Sequence, residues 1–178
     1  MVEFKLTKNQ RAVANAVSKE EVYRPVLRYV HIRKGLIEAA DGYILVQKKI
    51  DYEEEEKILL DGEAVRKLGD NKSTQGVAFS STDGKRYEAR GQNTTILTRQ
   101  SGTYLDTDKL IPSGEPVFKI ALSRKILKKL ISALDDSDVP VRFKFYGEHS
   151  PVKVEIPTED TLAVLMPMMI TKWEATED

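Results

Sequence analysis

The feature that most constrains the fold is an internal repeat, because the same order of predicted elements occurs three times along the chain. Each unit opens with a short apolar strand, continues into a helix that starts at a capping residue, and ends in further short strands separated by turn residues. The opening strands are predicted at residues 2–6, 57–60 and 117–122. Three such units joined by tight turns indicate an α+β protein whose sheets are mainly antiparallel.

Each predicted helix has one apolar stripe and a polar residue at its N-terminus. The predicted caps are Thr7, Asp61 and Ser123, and Thr7 together with Gln10 forms a capping-box pattern. The stripes consist of Ala12, Val13, Ala16 and Val17 in the first helix, Ala64, Val65 and Leu68 in the second, and Ile126, Leu127, Leu130, Ile131 and Leu134 in the third. Helices of this kind bury the stripe on a sheet and leave the other face in solvent.

Composition narrows the classes of function. The chain has 178 residues, no cysteine, only two histidines and a formal net charge of zero. It shows no Ser–His–Asp pattern, no metal-ligand spacing and no glycine-rich phosphate loop, so we expect no enzymatic activity, no cofactor and no metal. No apolar run approaches the roughly 20 residues that cross a bilayer, and no signal-peptide pattern is present. We therefore expect a cytoplasmic protein without membrane association.

One face of the third predicted helix is uniformly basic. Arg124, Lys125, Lys128 and Lys129 fall within an arc of about 140° that does not overlap the apolar stripe. Solvated faces usually mix charges of both signs, whereas this helix has no acid before Asp135. Two interpretations stay open at this point: an ordinary solvated face, and a surface directed at the phosphates of nucleic acid.

The C-terminal part of the chain resembles a known family. The stretch from Val141 to Val152 includes Ser150-Pro151-Val152, and Ala163-Val164-Leu165 leads into Met166-Pro167-Met168. This order is similar to the C-terminus of bacterial sliding clamps, the β subunits of DNA polymerase III, which typically ends in two apolar residues followed by Met-Pro-Met. The resemblance implies the DNA-clamp fold.

Two further segments are similar to the same family. Arg24-Pro25-Val26-Leu27 and Ala40-Asp41-Gly42-Tyr43 resemble its Arg-Pro-x-Leu and Thr-Asp-Gly-His elements, with Ala40 in place of the usual Thr. The stretch from Thr98 to Pro112 resembles the connector between the middle and last clamp domains, although Leu105 stands where the family often has Pro. The resemblance covers nearly the whole chain, discontinuously.

The resemblance also implies a division of the chain into three parts. Residues 1–100 correspond to a complete clamp domain of two units, 101–114 to a connector, and 115–178 to only the second half of a last domain. A half-domain alone exposes apolar surface and a strand edge. We therefore expect a homo-oligomer, either a dimer or a tetramer. The family ring contains twelve units, a number that four chains of three units would supply.

Two sets of functional residues follow from the resemblance. Family clamps bind a short linear motif of their partners in an apolar pocket, and the matching positions here are Leu27, Ala40, Leu45, Leu110, Val164, Met166, Pro167 and Met168. The set expected to face DNA consists of Lys8, Arg11, Lys19, Arg24, Arg66, Lys67, Arg124, Lys125, Lys128 and Lys129. Leu, Val and Met at strand positions are also typical of ordinary core packing, which is the alternative interpretation of the pocket set.

The leading hypothesis is a DNA sliding clamp, a processivity factor that tethers polymerase or repair proteins to double-stranded DNA without reading its sequence. The alternative is a clamp-related adaptor that binds clamp-motif peptides without encircling DNA. A third interpretation is a structural oligomer with neither activity. Retention on closed circular DNA separates the first two hypotheses, and binding of a clamp-motif peptide separates both from the third.

Overall fold

The chain divides into two compact units. A computed structural model describes residues 1–19, 23–71, 75–134, 139–156 and 161–169. Unit 1 comprises Met1–Pro112 and unit 2 comprises Ser113–Asp178, so the boundary lies inside the segment predicted as a connector. The strands of unit 1 are β1 (Val2–Leu6), β2 (Tyr29–Arg33), β3 (Leu36–Ala40), β4 (Leu45–Lys49), β5 (Ile58–Asp61), β6 (Val77–Ser81), β7 (Arg86–Arg90) and β8 (Thr94–Thr98).

Unit 1 also contains two helical segments that pack against each other. The first is α1 (Lys8–Arg11), which continues as a 3₁₀ helix (Ala12–Ala16), and the second is α2 (Gly62–Lys67). They approach closely at Gly62, where an added Cβ would lie 2.5 Å from Cγ1 of Val17. Only glycine allows this distance between the two segments.

The two halves of unit 1 exchange their first strands. Strands β1–β4 belong to the first half and β5–β8 to the second, yet the two sheets have the orders β1-β6-β7-β8 and β4-β3-β2-β5. Strand β1 is antiparallel to β6, with Leu6 opposite Val77. Strand β5 is antiparallel to β2, with Leu60 opposite Val30. Each half therefore completes the sheet of the other half, and the two share one apolar core.

The predicted helix caps are confirmed. The Thr7 hydroxyl accepts the N–H of Gln10 at 3.2 Å, and the Gln10 side chain accepts the N–H of Thr7 at 2.8 Å. Asp61 and Ser123 each accept the N–H three residues ahead, at 2.8 and 3.4 Å. The predicted stripe of the first helix is wrong at Ala12, which is exposed. The helix tightens there to about three residues per turn, which rotates the buried face away from that position.

Unit 2 contains the elements of a single half. They are α3 (Arg124–Ala133), β9 (Arg142–Lys144), β10 (Val152–Ile156) and β11 (Thr161–Leu165), and the sheet order is β11-β10-β9. No residue of α3 is buried. Leu127 and Leu130 pack against the sheet, whereas Ile126 and Ile131 are each 49% exposed. The apolar side of α3 is therefore only partly covered.

Two strand predictions in unit 2 differ from the structure. Residues 117–122 form no strand, because none of the described strands pairs with them. The alternation of apolar residues predicts a strand over 141–146, whereas β9 covers only Arg142–Lys144. The acidic pair Asp135-Asp136, expected in a solvated loop, and the polar tail after Ile170, expected to be frayed, lie outside the described residues. Within the described ranges no helix is long and apolar enough to cross a membrane.

Candidate functional site

A buried carboxylate organises one sheet of unit 1. Glu38 on β3 is fully buried, and its oxygens accept hydrogen bonds from four side chains. The donors are His31 Nδ1 at 2.7 Å, Arg33 Nε at 3.3 Å, Gln47 Nε2 at 2.6 Å and Thr107 Oγ1 at 2.8 Å. Because a carboxylate only accepts, the proton of the His31–Glu38 bond is assigned to Nδ1 of the imidazole.

The same carboxylate holds the first part of the connector on the sheet. Thr107 begins a short 3₁₀ helix (Thr107–Lys109) and is itself buried. Its neighbour Asp108 forms an ion pair with Arg33 at 2.5 Å, and the Tyr104 ring lies 4.7 Å from the His31 ring. These contacts hold residues 104–108 of the connector on the sheet, just before the predicted pocket residue Leu110. This network was not among the predictions made from the sequence.

The protonation of Glu38 follows from this network. Burial raises the pKa of its carboxyl, but hydrogen bonds from His31, Thr107 and Gln47 and the charge of Arg33 outweigh burial and lower the pKa to about 2. Glu38 is therefore ionised at neutral pH in spite of its complete burial. The hydrogen bond from Thr107 of the connector is therefore made to an ionised carboxylate.

Acid should loosen the network. The pKa of Glu38 is lower in the folded chain (about 2) than in the unfolded chain (about 4.3), so its stabilising contribution is complete above about pH 4.5 and is lost as the pH falls towards 2. The shift corresponds to about 3 kcal/mol of unfolding free energy. Urea titrations between pH 2.5 and 7 should show a weaker pH dependence for Glu38→Gln than for the wild type. Glu54→Gln, at an exposed acid of the same chain, is the control and should keep the wild-type dependence; equal curves for all three proteins would contradict the assignment.

In unit 1 two of the predicted pocket residues are buried and two are accessible. Leu27 and Ala40 are buried, at 0% and 3% exposure. Leu45 lies directly opposite Ala40 across the β3–β4 hairpin and is half-buried, and Leu110 is 57% exposed. The exposed apolar residues around them include Tyr43 at the hairpin tip, which is 97% exposed. Only Leu45 and Leu110 of this set therefore offer apolar surface in unit 1.

In unit 2 the predicted pocket residues lie on β11 and immediately after it. Val164, Met166 and Met168 are 60%, 57% and 50% exposed, and Pro167 is half-buried. The N–H of Met168 donates a hydrogen bond to the carbonyl of Ala121 at 2.8 Å, which fixes the segment after the strand. Unit 2 therefore offers an exposed apolar strip, two of whose side chains are flexible thioethers.

A cleft of about 820 Å³ lies elsewhere in unit 1. It is lined by residues of β2, β3, the chain around β5, the β6–β7 turn and the chain after β8, and by none of the eight predicted pocket residues. Two of its cations are already paired, Arg33 with Asp108 and Arg99 with Glu56. The cleft marks the seat of the connector, and we assign it no ligand.

The predicted DNA-facing residues are exposed, with one exception. Lys8, Lys19, Arg24, Arg66, Lys67, Arg124, Lys125, Lys128 and Lys129 lie on the surface. Arg11 is 4% exposed, and its guanidinium donates to the Leu68 carbonyl and pairs with Asp70. Arg11 therefore links α1 to the end of α2 and is not available to phosphates, which corrects its assignment.

The basic face of α3 (Arg124, Lys125, Lys128 and Lys129) is fully solvent-facing. All four side chains are exposed, and none of them forms an ion pair with another described residue. By contrast, Lys67 on α2 is paired with Glu63 at 2.6 Å. The strongest concentration of uncompensated positive charge among the sequence candidates is thus on α3.

These elements define an α+β protein with the sliding-clamp fold, in which strand–helix–strands halves pair through exchanged first strands. Solved bacterial DNA polymerase III β clamps have this fold. The chain superposes on the Helicobacter pylori beta clamp bound to a DNA ligase peptide with a TM-score of 0.70 and 17% identity, over 93% of this chain and 49% of that chain. It superposes on the DNA polymerase III beta chain of Streptococcus pneumoniae with a TM-score of 0.61 and 18% identity, over 95% and 50% of the two chains.

A third solved structure gives the same result. The β subunit from the DNA polymerase of Streptococcus pyogenes matches with a TM-score of 0.66 and 16% identity, over 95% of this chain and 51% of that chain. The sequence matches no protein-family model and no curated protein. The chain spans about half the length of the solved structures that it matches. The likeness confirms the predicted fold.

Proposed function

We propose that the protein is a sliding clamp without enzymatic activity, which tethers polymerase or repair proteins to double-stranded DNA in the cytoplasm. The observation that carries the proposal is the basic face of α3 in a chain with the sliding-clamp fold. Four exposed cations on one helix attract phosphates regardless of base sequence. A clamp is retained on DNA by topology, so a modest positive surface is sufficient and a formal net charge of zero is compatible with the role.

Partner proteins are proposed to bind through a short peptide. The Helicobacter pylori clamp is bound to a DNA ligase peptide, and we propose a peptide of the same class for this chain. Leu45 and Leu110 in unit 1 and Met166 and Met168 in unit 2 offer exposed or half-exposed apolar surface. Apolar side chains of a peptide gain about 25 cal/mol per Å² when they are removed from water against such surface.

The proposed function is tested by the topology of the DNA. Subunits are mixed with a nicked circular plasmid at low protein concentration and then concentrated, so that any ring closes around the DNA without a loading enzyme. After a high-salt wash, we expect the circular DNA to retain the protein at least about tenfold longer than linear DNA of the same length, because ends let a ring slide off. Cutting the circle after binding should release the protein. Equal release from both forms would remove the encircling function and leave the peptide-binding adaptor.

A further inference from the structure

Unit 2 repeats the local structure of the second half of unit 1. Ala121 lies two residues before the N-cap of α3, and its carbonyl accepts the N–H of Met168 at 2.8 Å. Leu59 lies two residues before the N-cap of α2, and its carbonyl accepts the N–H of Gln100 at 2.8 Å. In both places the segment before the helix is therefore tied to the chain that follows the last strand.

The approach to this segment is also the same. Phe118 lies five residues before the N-cap of α3, and its ring is 5.8 Å from that of Phe145, just after β9. Glu56 lies five residues before the N-cap of α2 and packs on the turn after β6, 3.3 Å from the Cβ that Gly84 would carry. Residues 118–122 therefore occupy the same position in unit 2 as residues 56–60, which lead into β5, occupy in unit 1.

The two segments differ in what they meet next. Strand β5 pairs with β2 of the other half, and its Ile58 and Leu60 are fully buried. Ile120 and Leu122 stand at the equivalent positions, three and one residues before the cap, but they are only half-buried and pair with no described strand. The outer edge of β9, which corresponds to β2 and β6, also pairs with no described strand. Among its described residues, unit 2 thus has both an apolar segment that pairs with no sheet and a sheet edge that pairs with no strand.

We propose that a second copy of this chain fills both places. Two copies of unit 2 exchange residues 120–122 about a two-fold axis, and each exchanged segment becomes the fourth strand of the other copy's sheet, beside β9. The resulting sheets have the order of both sheets in unit 1. A single two-fold interface pairs both the apolar segment and the free edge of β9 in each copy, because the same residues of both copies take part.

The register of the exchange follows from unit 1. Met168 and Gln100 donate to equivalent carbonyls, so Leu165, three residues before Met168, corresponds to Leu97, three residues before Gln100. The pairings within the two sheets then make Val154 equivalent to Ala89 and Phe143 equivalent to Phe79. In unit 1, Phe4 and Leu6, three and one residues before the cap Thr7, face Phe79 and Val77. Ile120 is therefore opposite Phe143 of the second copy, and Leu122 is opposite Val141 of the second copy. All four side chains are apolar, as in both exchanges of unit 1.

The helices give a second reason for a matching half as the occupant. In unit 1 the helical segments of the two halves pack against each other. In unit 2, Ile126 and Ile131 flank the apolar side of α3 and are each 49% exposed. In the proposed dimer, Ile126 and Ile131 of the two α3 helices pack against each other, and the basic face stays in solvent. The inference depends on the fold alone and holds whether or not the protein retains DNA.

The first test is the mass of the full chain in solution, measured by light scattering over a dilution series. The wild type should be a dimer or a larger assembly with an even number of chains. Ile120→Pro removes an N–H from the exchanged strand and should weaken dimerisation at least about 100-fold. Val117→Pro, in the same segment but outside the exchanged residues, should dimerise like the wild type. A monomeric wild type, or a dimer unaffected by Ile120→Pro, would overturn the proposal.

The second test reads the register and does not depend on loss of binding. The chain has no cysteine, so a cysteine pair is unambiguous. Leu122→Cys combined with Val141→Cys should form disulfides between chains under mild oxidation, since directly opposed strand residues have suitable Cα distances. Leu122→Cys combined with Phe143→Cys is out of register by two residues and should not. Crosslinking within one chain, or equal crosslinking in both variants, would sink the strand exchange even if a dimer exists.

Discussion

Reversal of the four charges on the basic face of α3 is expected to abolish measurable binding to double-stranded DNA. The variant carries Arg124→Glu, Lys125→Glu, Lys128→Glu and Lys129→Glu. Each neutralised phosphate contributes about 0.9 to the slope of log affinity against log salt, so the slope should fall by up to about 3.6 and the affinity by about 1,000-fold or more. Because no residue of α3 is buried, the fold should persist. Fluorescence anisotropy with a labelled duplex at several salt concentrations measures both quantities.

A matched variant separates the position of the charges from their number. Lys5, Lys49, Lys57 and Lys85 are exposed cations outside the proposed DNA-facing set, and changing all four to Glu alters the net charge by the same amount. We expect this control to lose much less affinity, because long-range charge is screened within about 10 Å at 0.1 M salt. Equal losses in the two variants would mean that total charge, and not α3, determines binding.

The sequence predicts best those features that depend on neighbours along the chain. The caps Thr7, Asp61 and Ser123 bond to groups three residues away, and strand alternation reports a buried face directly. The burial of Arg11 could not be predicted from the sequence, because it depends on an ion pair with Asp70, which is 59 positions away. The available signal was the position of Arg11 directly before the apolar stripe of the first helix.

The Glu38 network was missed for the same reason. Arg33, His31 and Gln47 are 5 to 9 positions from Glu38, and only the pairing of the strands brings them to its carboxylate, whereas Thr107 is 69 positions away. A carboxylate inside the apolar strand Leu36–Ala40, facing a histidine on the preceding strand, was the available signal. An ion inside an apolar run requires partners.

The error at residues 117–122 has a different cause. Their alternating apolar residues predict a segment that can join a sheet, but the pattern does not identify the strand with which it pairs. In unit 1 the first strand of each half is always paired with the other half. A single half therefore contains no partner for its own first strand, and the proposed second copy would turn a wrong prediction for one chain into a correct one for two.

Introduction of a charge into either of the apolar surfaces proposed to bind peptide, one in unit 1 and one in unit 2, should abolish the binding made there. Leu110→Asp in unit 1 and Met166→Asp in unit 2 each replace an apolar side chain that is 57% exposed. Loss of one apolar contact of about 2 kcal/mol and desolvation of the new carboxylate together should raise Kd at least about 100-fold. The probe is the DNA ligase segment bound by the Helicobacter pylori clamp, labelled for anisotropy.

Two exposed apolar residues outside the proposed surfaces test whether the effect is specific. Ile96 on β8 of unit 1 is 59% exposed, and Val117 in unit 2 is fully exposed. Ile96→Asp and Val117→Asp should bind the peptide like the wild type. Loss of binding in only Leu110→Asp or only Met166→Asp would confine the surface to one unit. Unchanged binding in both variants would show that neither residue contacts the peptide, because burial of an unpaired carboxylate against an apolar peptide side chain costs binding free energy.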